Sequence, residues 1–287
     1  MRWTTAALAL VGVLAAILPG RAMADPAGDE RYLRLEDAER VYAGMAEFAR
    51  MQGPLIEVSD RRELPALAER GTALAAQTFA VAGARDAMLE RLRKTPGEVP
   101  VAFDAIVARM RAVEAEFASR SLEALQAGEA DAVAHYEARP DRASIDAVGD
   151  AMAAPDLARE TAVTGLRVKW IYETLLTGNM DEMRAMTPAL VETGIREVLD
   201  RTRAPDDPEY GAPPLRKELV REQARMVKRM VLSHLPEADV AALAAFYASD
   251  VGRAKRRALV EAFGARNDED GARFIRQLLE RERSRTP

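Results

Sequence analysis

The chain contains no cysteine and only two histidines. Without thiols it can form no disulfide, carry no lipid on a cysteine and use no cysteine in catalysis, so its stability must come from burial. His135 and His234 form no metal-binding pair such as HExxH, and the sequence therefore predicts no metal and no other cofactor. Glycine-rich phosphate-binding loops, dinucleotide fingerprints and serine-nucleophile elbows are also missing, so we expect no enzyme of those classes.

The chain also lacks a long apolar run. Its longest, Ala6–Leu18, has 13 residues, whereas a membrane-spanning helix needs about 20. Arg2 precedes this run, Pro19-Gly20 ends it, and the small-residue site Ala22-Met23-Ala24 follows. This order is typical of a cleavable export signal. We predict cleavage after Ala24, a mature chain without a membrane span, and a periplasmic location.

Composition and charge favour an ordinary folded protein. Hydrophobic residues make up 48% of the chain and charged residues 30%, enough for both a core and a hydrated surface. The formal net charge of −5 becomes −7 when the signal is removed, because the signal contains Arg2 and Arg21 and no acid. An acidic mature chain disfavours binding to nucleic acid, since phosphates are bound mainly by clustered basic residues.

Helical spacing dominates the mature chain, and no run alternates β-branched residues between turn signals. The clearest apolar stripe recurs every three or four residues, at Phe103, Ile106, Met110, Val113 and Phe117. We therefore predict an all-α fold, either an antiparallel helical bundle or two packed helical halves. The predicted regions are the signal (1–24), an N-terminal helical region (25–155) and a C-terminal helical domain (156–287).

Capping residues and glycines predict helix boundaries in the first half. Asp60 and Glu63 form a capping pair before Pro65, which suits a first helical turn. Gly71 and Gly83 are expected to bend or divide the helix that follows.

In the second half, a helix is predicted to end at Thr177-Gly178, with the glycine in the left-handed conformation. Asn179 then caps the next helix, with Glu182 at its third position. The apolar side of this helix consists of Met183, Met186, Leu190 and Val198. The proline-rich segment Ala204–Pro214 that follows is predicted to be a stiff connector.

A further helix is predicted from Leu215 to about Ser233, with Leu219, Met226 and Met230 along its apolar side. Two more helices should follow it. A last helix is then expected to begin at Asn267–Asp270, because acidic residues are favourable at the positive end of the helix dipole.

The most distinctive segment of the mature chain is Leu235–Ala254. Its characteristic residues are Phe246-Tyr247, Ser249, Gly252 and Arg253. In these it resembles the exported bacterial family catalogued as domain of unknown function 2059, whose members usually have proline where this chain has Asp250. The resemblance covers about residues 163–263. It implies an α-helical envelope protein with an export signal, and it supplies no catalytic residues.

Two interpretations of this motif are open. In the first, the adjacent rings of Phe246 and Tyr247 pack on one face of a helix, Ser249 or Asp250 caps the next helix, and Gly252 lets another group approach closely. The motif is then a tight structural corner. In the second, Tyr247 contributes to a ligand pocket.

Residues 125–143 echo this segment. Tyr136 corresponds to Tyr247, and Arg142-Ala143 corresponds to Arg253-Ala254, at a common separation of 111 residues. A diverged duplication into two helical halves and a chance match between alanine-rich helices both explain the echo.

Methionines cluster on two predicted helices, at Met180, Met183 and Met186 and at Met226 and Met230. Flexible thioethers either line an adaptable groove or fill a core. Together with the aromatic pair, they give the candidate contacts for a ligand or partner: Phe246, Tyr247, Met183, Met226 and Met230.

The leading functional hypothesis is a non-enzymatic periplasmic protein that binds another envelope protein or helps to maintain the envelope. The alternative is a carrier of a small apolar ligand between helices, and an enzyme that depends on carboxylates ranks third. An enclosed apolar cavity would favour the carrier, and an exposed apolar groove would favour the interaction protein. A cleft with two carboxylates in different environments would favour the enzyme.

Overall fold

The computed structural model describes residues 25–51, 56, 62–118, 131–206 and 216–285. Every regular element in these ranges is a helix, which confirms the predicted all-α fold. The predicted export signal (1–24), Asp60, residues 125–130 of the internal echo and residues 207–214 of the connector lie outside the described residues. No helix of the described ranges combines the length and the apolar character needed to cross a membrane.

The helices before residue 152 are α1 (Pro26–Leu35), α2 (Ala38–Arg50), α3 (Leu64–Thr78), α4 (Val81–Arg93), α5 (Phe103–Ala118), α6 (131–137) and α7 (Arg142–Ala151). Those after it are α8 (Ala154–Thr177), α9 (Met180–Ala185), α10 (Pro188–Arg203), α11 (Lys217–Ser233), α12 (Glu237–Ala248) and α13 (Asp250–Arg283).

Helices α8 and α13 form the centre of the fold. Helix α8 packs against α2, α3, α10, α11 and α13, and α13 also packs against α3, α4, α9, α10 and α12. Contacts between the two advance in the same direction, from Glu160 beside Gly264 to Arg167 beside Gly271, so this pair runs parallel. Helices of the two predicted regions pack on one another, and residue 155 lies in the first turn of α8. The division into two domains stays a prediction.

The predicted stripe of α5 is confirmed. Phe103, Ile106 and Met110 are buried, and Val113 and Phe117 pack against the same core. Helix α8 ends at Thr177 as predicted, but Gly178 has φ −80° and ψ 161° and not the left-handed conformation.

The predicted division at Gly71 or Gly83 is wrong, because both glycines lie inside helices. The chain turns instead at Phe79-Ala80, where the buried Phe79 ring packs 6.0 Å from the ring of Phe274. Gly71 makes room for Tyr172: an added Cβ would lie 1.9 Å from the Tyr172 hydroxyl oxygen. Pro65 lies in the first turn of α3 as predicted, but its cap, Glu63, makes no side-chain hydrogen bond to the helix.

The single helix predicted after Asn179 is two helices. Asn179 caps the short α9, in which its side chain accepts a hydrogen bond from the Asp181 N–H at 3.0 Å. Thr187 then caps α10, and Pro188 lies in the first turn of that helix. Proline separates the two helices because it lacks the N–H that would continue α9, whereas the first turn of a helix does not need that N–H. Met183 and Val198 are buried, whereas Met186 and Leu190 are exposed.

The prediction that Asn267–Asp270 begin a last helix is also wrong. These residues lie inside α13, which is one helix of 34 residues, and Asn267 and Asp270 are fully buried. They are tolerated there because they have partners. Asp270 Oδ2 accepts hydrogen bonds from the Tyr42 hydroxyl at 2.5 Å and from Arg266 Nε at 2.8 Å.

The contact between α8 and α13 is polar. The Asn267 amide accepts a hydrogen bond from Thr164 Oγ1 at 2.7 Å and donates one to Glu160 Oε2 at 2.9 Å. The buried Arg167 guanidinium donates to the Asn267 carbonyl oxygen at 3.0 Å and pairs with Asp268. The Glu160 carboxylate pairs with Arg203 at 2.9 Å, so Glu160 and Arg167 each have an opposite charge, without which their burial would be unfavourable.

A second buried ion pair joins α1 to α13. Lys255 and Asp29, 1% and 0% exposed as side chains, lie 2.5 Å apart, and Lys255 Nζ also donates to the Leu92 carbonyl at 3.2 Å. The pair ties the first helix of the described chain to the last and to the end of α4.

The segment Leu235–Ala254 forms the corner between α12 and α13. Ser249 Oγ accepts a hydrogen bond from the Gly252 N–H at 3.0 Å and donates one to the Phe246 carbonyl at 2.6 Å. Arg253 contacts the Ala248 carbonyl and pairs with Asp250. Ser249 is thus the cap of α13, one of the two candidates that the sequence offered.

We expect Gly252→Ala to destabilise the corner. An added Cβ would lie 2.1 Å from the Phe246 carbonyl oxygen, a backbone atom that cannot rotate away. The free energy of unfolding should fall by about 1–3 kcal/mol, measured by urea unfolding followed by circular dichroism.

Gly194→Ala is the matched control, because an added Cβ at this position in α10 meets nothing within 4 Å. It should stabilise the protein by about 0.5–1 kcal/mol, the usual gain of alanine over glycine in a helix. Equal effects of the two substitutions would contradict the close approach at Gly252.

Candidate functional site

Glu36, in the turn between α1 and α2, is a fully buried carboxylate that joins three parts of the fold. Its Oε2 accepts hydrogen bonds from the N–H groups of Ala153 and Ala154, at 2.8 and 2.9 Å, at the start of α8. Its Oε1 accepts one from the Tyr247 hydroxyl, at 2.6 Å, at the end of α12. A helix N-terminus favours a negative charge, so this position suits a carboxylate.

Burial dominates the acid–base properties of this group. Burial raises the pKa of Glu36, while hydrogen bonds from Tyr247 and from the two N–H groups limit the rise. Burial and the neighbouring Glu36 charge raise the pKa of Tyr32 and Tyr247 well above the ordinary tyrosine value. Both tyrosines therefore remain neutral, and Tyr247 acts as a hydrogen-bond donor.

The backbone next to Glu36 is unusual. Asp37, with φ 55° and ψ 28°, is the one non-glycine residue of the described ranges with a positive φ. Aspartate tolerates this left-handed conformation better than most residues. Its side chain pairs with Arg40, one turn into α2. The turn thus directs Glu36 inwards and Asp37 towards the surface groove that α2 borders.

That groove lies between α2, α5, α8 and α11 and has a volume of about 290 Å³. Its walls are mainly the apolar side chains Val41, Phe117, Ala158, Ala224, Val227 and Val231. Glu36 contributes to its lining from inside, and Arg40, Glu114 and Lys228 line its charged end. The groove is therefore apolar along its length and polar at one end.

Ion pairs organise the charged end. The Glu114 carboxylate lies 2.7 Å from Lys228 Nζ and 2.9 Å from Arg40 Nη2. A second, polar pocket of about 580 Å³ shares Asp37, Arg40 and Glu114 with the groove, so the two lie side by side.

Helix α11 has its charged side turned inwards. Its basic residues pair with carboxylates of α5, α7 and α8: Lys228 with Glu114, Arg229 and Arg225 with Asp150, and Arg221 with Asp156. Its apolar residues Leu219, Met226 and Val227 are instead 40%, 40% and 46% exposed. Of the predicted apolar side of this helix, Leu219 and Met226 are thus exposed and Met230 is partly buried. Val227 belongs both to this exposed apolar stripe and to the groove.

The two histidines, which the sequence did not bring together, are neighbours. The ring centroids of His135 and His234 are 4.5 Å apart, and the Phe117 ring lies edge-on to His234 at 5.4 Å. His135 Nε2 lies 3.0 Å from the Ser233 carbonyl and His234 Nδ1 2.9 Å from the Met230 carbonyl, so these nitrogens donate. The described residues include no group of three or more side chains suited to hold a metal.

The candidate residues from the sequence do not form one cluster. Phe246, Tyr247 and Met183 are buried, Met226 is exposed on α11, and Met230 is partly buried. Tyr247 reaches the groove only through its hydrogen bond to Glu36. The residues that sequence reasoning missed are Glu36, Arg40 and Glu114, which stand in no motif and become notable only through contacts distant in sequence.

The polar groups of the groove are mainly carboxylates that already have partners. Its described lining contains three carboxylates but no serine, threonine, cysteine or histidine. Both Glu36 oxygens accept hydrogen bonds from other parts of the fold, and Glu114 is paired with two cations. Comparison of the chain with protein-family models, with curated proteins and with solved structures finds no match. The resemblance to domain of unknown function 2059 therefore stays a prediction.

Replacement of Glu36 by glutamine should change how stability depends on pH. The folded-state pKa of Glu36 is raised, so the folded protein holds this proton more tightly than the unfolded chain. The contribution of protonated Glu36 to the free energy of unfolding is fully present below the ordinary glutamate pKa of about 4.3. It is lost as the pH rises through the raised folded-state pKa of Glu36. Relative to Glu36→Gln, the wild type should therefore lose stability on going from pH 4 towards neutrality, as measured by denaturant unfolding.

Glu47→Gln is the control, because Glu47 is exposed and its hydrogen bond to Arg50 lowers its pKa. Relative to Glu47→Gln, the wild type should show no loss of stability between pH 4 and neutrality, because the pKa of Glu47 is lowered and not raised. A wild type that gains stability over Glu36→Gln with rising pH would contradict the account of Glu36.

Proposed function

We propose that this chain is an exported, non-enzymatic helical protein that binds another envelope protein through the outward side of α11. The observation that carries the proposal is the orientation of α11, whose basic residues are paired inside while Leu219, Met226 and Val227 are exposed. Exposed apolar side chains that run on into a groove are typical of interaction surfaces. The predicted signal at residues 1–24 and the resemblance to domain of unknown function 2059 support the envelope setting.

The partner element that fits this surface is an amphipathic helix. Leu219, Met226 and Met230 are spaced by seven and four residues along α11, the spacing of a helix–helix seam. One flank of this stripe carries Glu218 and Glu222, whose side chains are 54% and 58% exposed. These glutamates are paired with Arg159, Arg221 and Arg225, so a partner helix with apolar residues at the same spacing would be complementary in shape.

A carrier of a small ligand is the second candidate function. The groove is open to the surface and is not the enclosed cavity that would favour a carrier most, but its apolar lining, its volume of about 290 Å³ and its position between four helices support this candidate. Pockets of roughly 300–1,000 Å³ that are mainly apolar, with a few polar groups, are typical of small-molecule sites.

Charge substitutions in the stripe should abolish partner binding. The wild-type protein, isolated from the periplasm after reversible cross-linking, is expected to bring with it one envelope protein. Met226→Lys and Leu219→Lys should each weaken the purified complex by about tenfold or more, because a lysine charge must then be buried against apolar groups. Binding is measured by calorimetry.

Leu190→Lys is the matched control, since Leu190 is an exposed leucine on a different helix, α10, and is 59% exposed. It should leave the affinity unchanged. A partner that binds Met226→Lys as well as the wild type, or that is lost equally with Leu190→Lys, would contradict the assignment of the interface to α11.

A further inference from the structure

The groove and the polar pocket lie side by side and differ in chemistry, and we call the two together the cleft, with an apolar and a polar end. They share Asp37, Arg40 and Glu114, and the polar pocket is also lined by Arg34, Arg85 and Arg111. A ligand that fills both ends must therefore have an apolar part and a charged part.

The apolar end is sized for one alkyl chain. Three small side chains, Ala154, Ala158 and Ala224, leave a slot between α8 and α11, and Phe117 and Val231 contribute to its walls. A methylene group takes about the room of a water molecule, which is about 30 Å³ in the liquid, so the groove of about 290 Å³, which is open on one side, has room for a chain of up to roughly ten carbons. Each methylene that leaves water contributes about 0.8 kcal/mol before the costs of ordering.

The charges at the polar end determine the sign of the head group. Arg40 is paired with Asp37 and Glu114, Arg85 with Glu30 and Glu39, and Arg34 with Asp104. Each carboxylate of the pocket thus already has a cation. Arg111 has no carboxylate partner among the described residues, and its side chain is exposed in the pocket.

We propose that the cleft binds a single-chain anionic amphiphile, with its alkyl chain in the groove and its head group on Arg111. The proposal rests on the carrier, the second candidate function, and names its ligand class. A carboxylate or phosphate head would form the charge-assisted hydrogen bonds that Arg111 lacks. A cationic head would find no unpaired carboxylate among the described lining, and a neutral head would gain only the burial of its chain.

The test uses the purified full-length mature protein, freed of bound lipid, and three probes with the same ten-carbon chain: decanoate, decan-1-ol and decyltrimethylammonium. Binding is measured by calorimetry below the micelle-forming concentrations. Decanoate should bind at one site, about tenfold more tightly than decanol, the usual scale of one charge-assisted contact. The cationic probe should bind more weakly than either. Replacing decanoate by decyl phosphate tests whether the site requires a carboxylate or binds any anionic head group.

Two variants locate the ligand. Arg111→Gln should reduce decanoate binding to the level of decanol and leave decanol unchanged. Ala224→Trp fills the slot and should abolish binding of both, while Leu190→Trp, outside the cleft, should alter neither. Thermal unfolding of each variant checks that it is folded.

The outcomes separate the ligand class from the carrier itself. Equal binding of decanoate and decanol, unaffected by Arg111→Gln, would overturn the anionic head group while leaving a carrier of apolar chains. No binding of any probe, or binding that survives Ala224→Trp, would overturn the cleft as a ligand site and the carrier with it.

Discussion

The structure depends on the requirement that a charge removed from water must have a partner. Helices α8 and α13 meet through Glu160, Arg167 and Asn267, residue types that are ordinarily found at the surface. Because each has its hydrogen-bond partners, α13 passes through the core as one continuous helix. The buried pair of Lys255 and Asp29 follows the same rule and ties α1 to α13. Removing one member of such a pair is unfavourable, so these pairs fix which helix faces meet.

The same requirement explains the surface on which the functional proposals rest. The basic side of α11 faces carboxylates of α5, α7 and α8, of which Glu114 and Asp156 are largely buried and Asp150 is half exposed. The apolar side of α11 is therefore left in contact with solvent, where it borders the groove through Val227. Glu36, which also lines the groove, joins the start of α8 to Tyr247 of α12. The exposed apolar stripe of α11 and the groove beside it thus arise from one arrangement of charges.

The sequence predicted what local spacing determines. The stripe of α5, the end of α8 at Thr177 and the cap at Asn179 follow from side chains a few residues apart. The errors have a common physical cause, since polar residues were assumed to face water and apolar residues the core. That assumption fails for Asn267, whose partners Thr164 and Glu160 are distant in sequence. His135 and His234, which lie 99 residues apart in the sequence, are neighbours for the same reason. No spacing could have paired Glu36 with Tyr247.

The most direct test of this account uses the absence of cysteine, because a single introduced thiol reports on one position. Met226→Cys and Val231→Cys place that thiol on the exposed and the buried side of α11. In the native protein, Met226→Cys should react with a maleimide at close to its rate in the denatured chain. Val231→Cys should react at least about a hundredfold more slowly, because α11 must first open. A protected thiol at position 226, or a freely reactive one at position 231, would contradict the claim that paired charges turn the apolar side of α11 outwards.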